Sequence, residues 1–179
     1  MVAIPLRYNS KKTVRHMKTI EEITQLAIVA HSGQKDMIGN PAILHVLAVG
    51  LMGKTEPEQK AGFLHDVVED TDLTIEDLRA DGVEEEVLAA VDLLTHRDGI
   101  SYEDYVKSIV ASGNEIAIHV KLNDLRQNLG RAADSMMRLE ERGRRGDALF
   151  REILEIAEMH GWAEQYIENA ISLGMQTPS

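Results

Sequence analysis

Residues 65–70 read His-Asp-Val-Val-Glu-Asp, which places four groups able to bind metal or move protons within six positions. On a helix turning about 100° per residue, His65, Asp66, Glu69 and Asp70 share one sector, opposite Ala61, Leu64, Val67 and Val68. His65 and Asp66 are then close enough to reach one cation. Glu69 and Asp70 lie one turn later, about 6 Å along the axis, where they can address water or a leaving group. Taken alone, the segment reads equally well as the solvated acidic face of an amphipathic helix.

A second segment narrows that choice. Ile118, Leu122, Leu125, Leu129 and Ala132 form an apolar helical stripe. Beside it run Lys121, Asp124, Asn128 and Arg131, at spacings of three, four and three. One acid flanked by an amide and two cations, bordering a buried face, suits a cleft wall. The plainer alternative is that Asp124 merely pairs with Lys121 or Arg131. His31 ends another apolar register, within Ala-His-Ser-Gly-Gln. Of the remaining histidines, His16 and His160 read as peripheral, and His119 falls off the Lys121–Arg131 stripe. His45, between Leu44 and Val46, reads as a packed, hydrogen-bonded side chain.

Composition bounds the chemistry. With no cysteine, disulfides and thiolate metal sites are excluded, so any metal must take His, Asp, Glu or main-chain oxygen. A net charge of −11 opposes broad nucleic-acid binding, and 4% aromatics provide little for base stacking. A small phosphorylated substrate remains compatible, because a metal ion and a few Lys or Arg can reverse the field in one cleft. No apolar run reaches the roughly 20 residues of a membrane span, and nothing resembles a signal peptide, so the expected location is the cytoplasm.

The elements that must carry these residues read as helices throughout. Thr19 with Glu22 forms a capping box ahead of Ile20, Ile23, Ala27 and Ala30. Asn40-Pro41 opens a second helix to about Leu51, and Thr55 with Glu58 a third running through His65 to about Asp70. Thr74 with Asp77 starts a short fourth, Val83 to Leu94 marks a fifth, and Ser101 to Gly113 a sixth. Asn114 caps a seventh to about Arg131. The charged stretch 138–146 reads as a loop, before helices over 144–160 and 162–173 broken at Gly161. Strand alternation is nearly missing. The expectation is a flexible arm over 1–18 and one compact all-α domain over 19–179, with a homo-oligomer left open.

Together these pieces resemble the HD-domain phosphohydrolases, specifically the hydrolase domain of RelA/SpoT-type stringent-response enzymes and their small single-domain relatives. The resemblance rests on Ala30-His31-Ser32-Gly33-Gln34, Asn40-Pro41-Ala42-Ile43-Leu44-His45 and Leu64-His65-Asp66-Val67-Val68-Glu69-Asp70-Thr71. Val120-Lys121-Leu122-Asn123-Asp124 with Asn128 completes it. It implies an HD helical fold and a divalent ion, usually manganese, on His31, His65, Asp66 and Asp124. It also implies hydrolytic roles for Glu69 and Asp70, a nucleotide contact at Asn128, and removal of the 3′-diphosphate from guanosine tetra- or pentaphosphate.

The pattern departs from the family near the phosphates. Asp36 and Met37 replace a basic pair, for which Lys35 is the nearest substitute. Ala42 and Val46 replace Tyr and Pro, and Arg126 and Gln127 replace an apolar residue and His. Mixed imidazole and carboxylate donors suit manganese, iron or zinc better than magnesium or calcium. Such an ion lowers the pKa of water and polarises a phosphoryl oxygen, with Glu69 or Asp70 as general base. Lys35, Lys121 and Arg131, with Arg97 as a further candidate, would meet phosphate charge. Asp36 and Met37 favour an alternative substrate, another nucleotide or a nicotinamide cofactor phosphate. A nucleotide-binding HD domain without turnover and a metal-free helical interaction module are the non-enzymatic alternatives.

Overall fold

Side chains that compete for main-chain N–H groups set most helix starts. Thr19 accepts from Glu22 N–H while Glu22 reaches back to Thr19 N–H, so α1 spans Ile20–Ala30. Thr55 likewise begins α3 at Glu56–Leu64, and the Thr74–Asp77 capping box begins α5 at Ile75–Ala80. Ser101 starts α7 at Tyr102–Ser112, and Gly113, at φ 66°, closes it in the left-handed conformation that favours glycine. Asn114 then caps α8. The structure, a computed structural model, describes residues 17–37 and 39–173. Within them α2 is Ile43–Met52, α4 Val67–Asp70, α6 Glu85–Leu94, α8 Glu115–Glu141 and α9 Ala148–Ser172. Residues 1–16 of the expected arm, including His16, lie outside the described residues. Lys18 is docked, its N–H on Gly82 O and its ammonium 3.0 Å from Asp81.

The architecture is all-α, as the periodicity requires. Among the described residues the only bridge pairing joins Lys35 to Pro41. Helix α3 runs through the middle and packs on α1, α2, α6 and α8. Ala61 and Leu64 on it, Ile23 and Ala27 on α1, Val46 and Val49 on α2, Val91 on α6 and Leu125 on α8 are buried in one core. No helix among the described residues is long and apolar enough to cross a membrane.

Four element boundaries differ from expectation, each for a local reason. Asn40-Pro41 does not cap α2. Asp36 Oδ1 takes the Asn40 N–H at 2.8 Å, Ala42 N–H bonds to Gln34 O, and α2 begins at Ile43 behind an uncapped Ala42. The third helix does not reach Asp70 unbroken. His65 Nδ1–H donates to Gly62 O at 2.7 Å, the carbonyl that Asp66 N–H would use in a continuous helix. The chain therefore turns at His65–Asp66 before α4. Helix α8 runs ten residues past Arg131, because Ser135 and Leu139 extend its buried face. Helix α9 starts at Ala148 and passes through Gly161 without a break. Ile153, Ala163, Ile167 and Ala170 keep one buried stripe along it, and an interior glycine costs only about 1 kcal/mol.

The crossing of α2 and α3 brings two histidine-bearing segments together and depends on a glycine pair. A Cβ on Gly62 would stand 2.8 Å from Gly50 Cα, and one on Gly50 would stand 2.2 Å from Phe63 Cδ1. Backbone meets backbone there. Gly62→Ala should therefore cost about 1–3 kcal/mol in urea unfolding, as overpacking does in a close-packed core. An unchanged midpoint would show that the crossing tolerates a methyl group.

Candidate active site

Three imidazoles reach one cleft from different elements, each with Nδ1 tied to an oxygen. His65 donates Nδ1–H to Gly62 O, as above. His45, in the first turn of α2, holds its Nδ1 2.6 Å from Gln127 Oε1 on α8. His31, at the end of α1, holds its Nδ1 2.7 Å from Gln34 Oε1, and Gln34 is itself anchored through its amide to Asp70 O. An imidazole that donates from Nδ1 presents a lone pair at Nε2, the arrangement that fixes metal-binding histidines.

The Nε2 atoms of His65 and His45 converge with two carboxylates. His65 Nε2 lies 3.3 Å from His45 Nε2, 3.1 Å from Asp66 Oδ1 and 3.8 Å from Asp124 Oδ1. His45 Nε2 lies 3.1 Å from Asp124 Oδ1 and 3.6 Å from Asp66 Oδ2. One donor atom each from His45, His65 and Asp124 all fall within 4.8 Å of one another. Asp66 lines the same cleft outside that tight trio, as does His31. The buried Nε2 of His31 has no hydrogen-bond partner among the described residues. An unpartnered buried nitrogen, facing a cleft of imidazoles and carboxylates, fits a divalent cation.

Asp124 is held by its own helix. Lys121 Nζ donates to its Oδ2 at 2.9 Å and Asn128 Nδ2 to its Oδ1 at 2.7 Å. Burial opposes the Asp124 charge, but Lys121, with His45 and His65, outweighs it and holds the carboxyl well below the usual range. Burial likewise opposes the Lys121 charge, and Asp124 overcomes it, keeping the ammonium protonated. That ammonium also lies 5.0 Å and 5.4 Å from the ring centres of Tyr105 and Tyr102. Asp66 follows the same logic: burial raises it, and His65 more than compensates.

Glu69 and Asp70 behave differently. Burial raises both, and the Asp66 charge adds to the rise in each. Glu69 Oε2 accepts the His96 N–H at 2.9 Å, and both residues line the cleft. The cleft, about 330 Å³, thus holds two carboxyls kept ionised and two lifted toward neutrality.

The residues expected to contact substrate are mostly engaged already. Lys35, Lys121, Asn128 and Arg131 all line the cleft. Lys121 and Asn128, however, orient Asp124, and Arg131 is ion-paired with Asp36. Arg97 pairs with Asp92 on the exposed surface, away from the cleft. His119 pairs with Glu58, also away from it. His160, expected to be peripheral, lies against Tyr102 and lines the cleft from α9. Sequence reasoning also passed over Tyr102 and Tyr105, noted Gln127 only as a departure from the family pattern, and missed its contact with His45. The available signal for His45 was its place in the Asn40–His45 motif, and for Gln127 its spacing of three from Asp124.

Fold and site together describe an all-helical domain whose cleft gathers histidines and carboxylates from separate helical segments. No protein-family model matches the chain. Over 124 residues it is 36% identical to a GTP pyrophosphokinase of Streptomyces coelicolor, an alignment covering 63% of this chain and 14% of that protein. Over 125 residues it is 32% identical to a guanosine-3′,5′-bis(diphosphate) 3′-pyrophosphohydrolase of Aquifex aeolicus, covering 64% of this chain and 18% of that protein. The chain thus spans less than a fifth of the length of these curated relatives. Among solved structures it is similar to one described as a metazoan ortholog of SpoT that hydrolyzes ppGpp and plays a role in starvation responses. That match has a TM-score of 0.55 at 19% identity and covers 92% of this chain and 98% of the other. The chain is related to the RelA/SpoT-type proteins and has the fold of that SpoT ortholog.

The site links proton and metal binding to stability. Burial disfavours the charged form of His65, but Asp66 and Asp124 prevail and raise it from about 6.5 to about 9 in metal-free protein. A raised pKa means the folded state holds the proton more tightly than the unfolded chain. The stabilisation is therefore complete below about pH 6.5 and disappears as pH rises through about 9. A bound cation replaces that proton. Chelator-treated protein should lose thermal stability across this window, and manganese-loaded protein should lose markedly less. Parallel losses in both forms would contradict the arrangement.

Proposed function

We propose that this chain is a metal-dependent phosphohydrolase whose preferred substrate is a guanosine 3′,5′-bis(diphosphate), from which it releases the 3′-diphosphate. The observation that carries this reading is the convergence of tautomer-fixed imidazoles with Asp66 and Asp124 beside two carboxyls of raised pKa. His31, His65, Asp66 and Asp124 are the proposed ligands of a divalent ion, with manganese the preferred occupant. When bound, the ion supplies Lewis acidity toward water and the phosphoryl group.

The chain's own residues supply the rest. Glu69, fixed by the His96 N–H, and Asp70, one residue on, act as general base and water-positioning group, since a carboxyl lifted toward neutral pH accepts a proton more readily. Lys121 and Asn128 keep Asp124 ionised and aimed. Lys35 and Arg131, at the mouth, are the cations nearest to incoming phosphate charge. Tyr105 donates its hydroxyl hydrogen to Leu94 O, which steadies the aromatic wall under Lys121.

A second reading has one specific observation in its favour. Arg131 faces the Asp36 carboxylate, at a loop position where the resemblance calls for positive charge. A mouth neutralised in this way accommodates less phosphate. It favours a singly phosphorylated nucleotide or a nicotinamide cofactor phosphate, with release of orthophosphate.

Purified protein supplied with manganese should release diphosphate from guanosine tetraphosphate, read by phosphorus NMR. Under the second reading the product is orthophosphate from the monophosphorylated substrates. Glu69→Gln and Asp70→Asn should each lower kcat by about 10²–10⁴-fold with unchanged metal content. Absence of either product across both substrate sets would overturn the enzymatic assignment.

A further inference from the structure

We propose that His45 is an additional ligand of the divalent ion and that Gln127 is the positioning residue that holds it in the ligating tautomer. This inference rests on the reading that the cleft binds such an ion, and it enlarges the donor set beyond His31, His65, Asp66 and Asp124.

Spacing is the first argument. Donor atoms that each sit about 2.1 Å from one cation stand about 3.0 Å apart at right angles and about 3.4 Å apart at the tetrahedral angle. His45 Nε2 is 3.3 Å from His65 Nε2, 3.1 Å from Asp124 Oδ1 and 3.6 Å from Asp66 Oδ2. Every separation from His45 to the neighbouring donors falls in or close to that interval. A histidine placed only to pack against the core has no reason to meet three donor atoms at such distances.

Protonation is the second. His65 Nδ1–H is committed to Gly62 O, and His45 Nδ1 faces Gln127 Oε1, an atom that accepts and cannot donate. Both neutral rings therefore carry their proton on Nδ1 and direct bare Nε2 lone pairs at each other across 3.3 Å. Two lone pairs so placed repel unless a proton or a metal ion lies between them, the place that a shared cation takes. A neutral His45 donates Nε2–H to Asp124 only with a donor opposite Nδ1, which Gln127 Oε1 does not provide.

Helix geometry is the third. Gln127 follows Asp124 by three residues on α8, so one helical face carries a ligand and, a turn later, the acceptor that orients another. His45 is buried, and its ring stands edge-on to His65 with centroids 5.2 Å apart, which leaves little room for another ring orientation. The enlarged set is richer in nitrogen, which shifts preference further from magnesium toward the later first-row metals.

Cobalt(II) tests the assignment without any turnover. In the whole chain loaded with Co2+, each ligating imidazole gives one paramagnetically shifted proton NMR signal from its Nδ1–H, recognised by loss in deuterated water. Three such signals are expected, from His31, His45 and His65. His45→Gln should remove one and leave two. Gln127→Leu should weaken Co2+ affinity by about 10–100-fold, as loss of an orienting partner does. Gln127→Glu, which keeps an acceptor opposite Nδ1, should restore both signal and affinity. An unchanged number of signals between the unsubstituted protein and His45→Gln, with Co2+ bound in both, would overturn the proposal and leave the metal-binding reading standing. A protein that takes up no Co2+ at all would overturn both.

Discussion

A carboxylate in a protein interior is tolerated only when its charge is answered at close range, because desolvation costs several kcal/mol. Asp124 meets that condition with Lys121 on one oxygen, Asn128 on the other, and the Nε2 of His45 beside it. Lys121 is buried in turn and rests near the faces of Tyr102 and Tyr105, the latter fixed by the Leu94 carbonyl. Helices α2, α6, α7 and α8 are therefore joined through one polar cluster as well as through their apolar faces. The site is built into the core, so its geometry inherits the rigidity of close packing.

Charge within the cleft explains why such a centre calls for a cation. Asp36, Asp66, Glu69, Asp70 and Asp124 line it against Lys35, Lys121 and Arg131. Two of those cations are already committed, Lys121 to Asp124 and Arg131 to Asp36. In metal-free protein the excess is relieved by protons, held on His65 by its neighbouring carboxylates and favoured on Glu69 and Asp70 by burial. A divalent ion relieves it differently, and it provides the positive charge that a phosphorylated substrate must meet in an acidic chain. Asp36 then bears on substrate choice, since it removes net charge from the mouth without touching the centre.

The all-helical class was legible because periodic apolar residues and polar caps agree over most of the chain: Thr19, Thr55, Thr74, Ser101 and Asn114 all cap where their spacing indicates. The meeting of His65, Asp66 and Asp124 in one cleft was also legible, although the wheel argument behind it was incomplete. The helix breaks at His65, and the break itself turns the imidazole toward the cleft. What stayed hidden depends on long-range contacts. Nothing local in Leu44-His45-Val46 shows that Gln127, 82 residues away, accepts from that ring. His160 read as peripheral because the α9 register matters only once α9 lies along α8. The apparent break at Gly161 was a local preference overridden by a continuous buried stripe.

The central claim is that histidines and carboxylates from separate helical segments share one cation. Anomalous diffraction from crystals grown with manganese tests it directly. The account predicts a single strong peak within bonding distance of His65 Nε2 and Asp124 Oδ1, absent from crystals grown with chelator. A peak elsewhere on the acidic surface, with this cleft empty at saturating manganese, would contradict it.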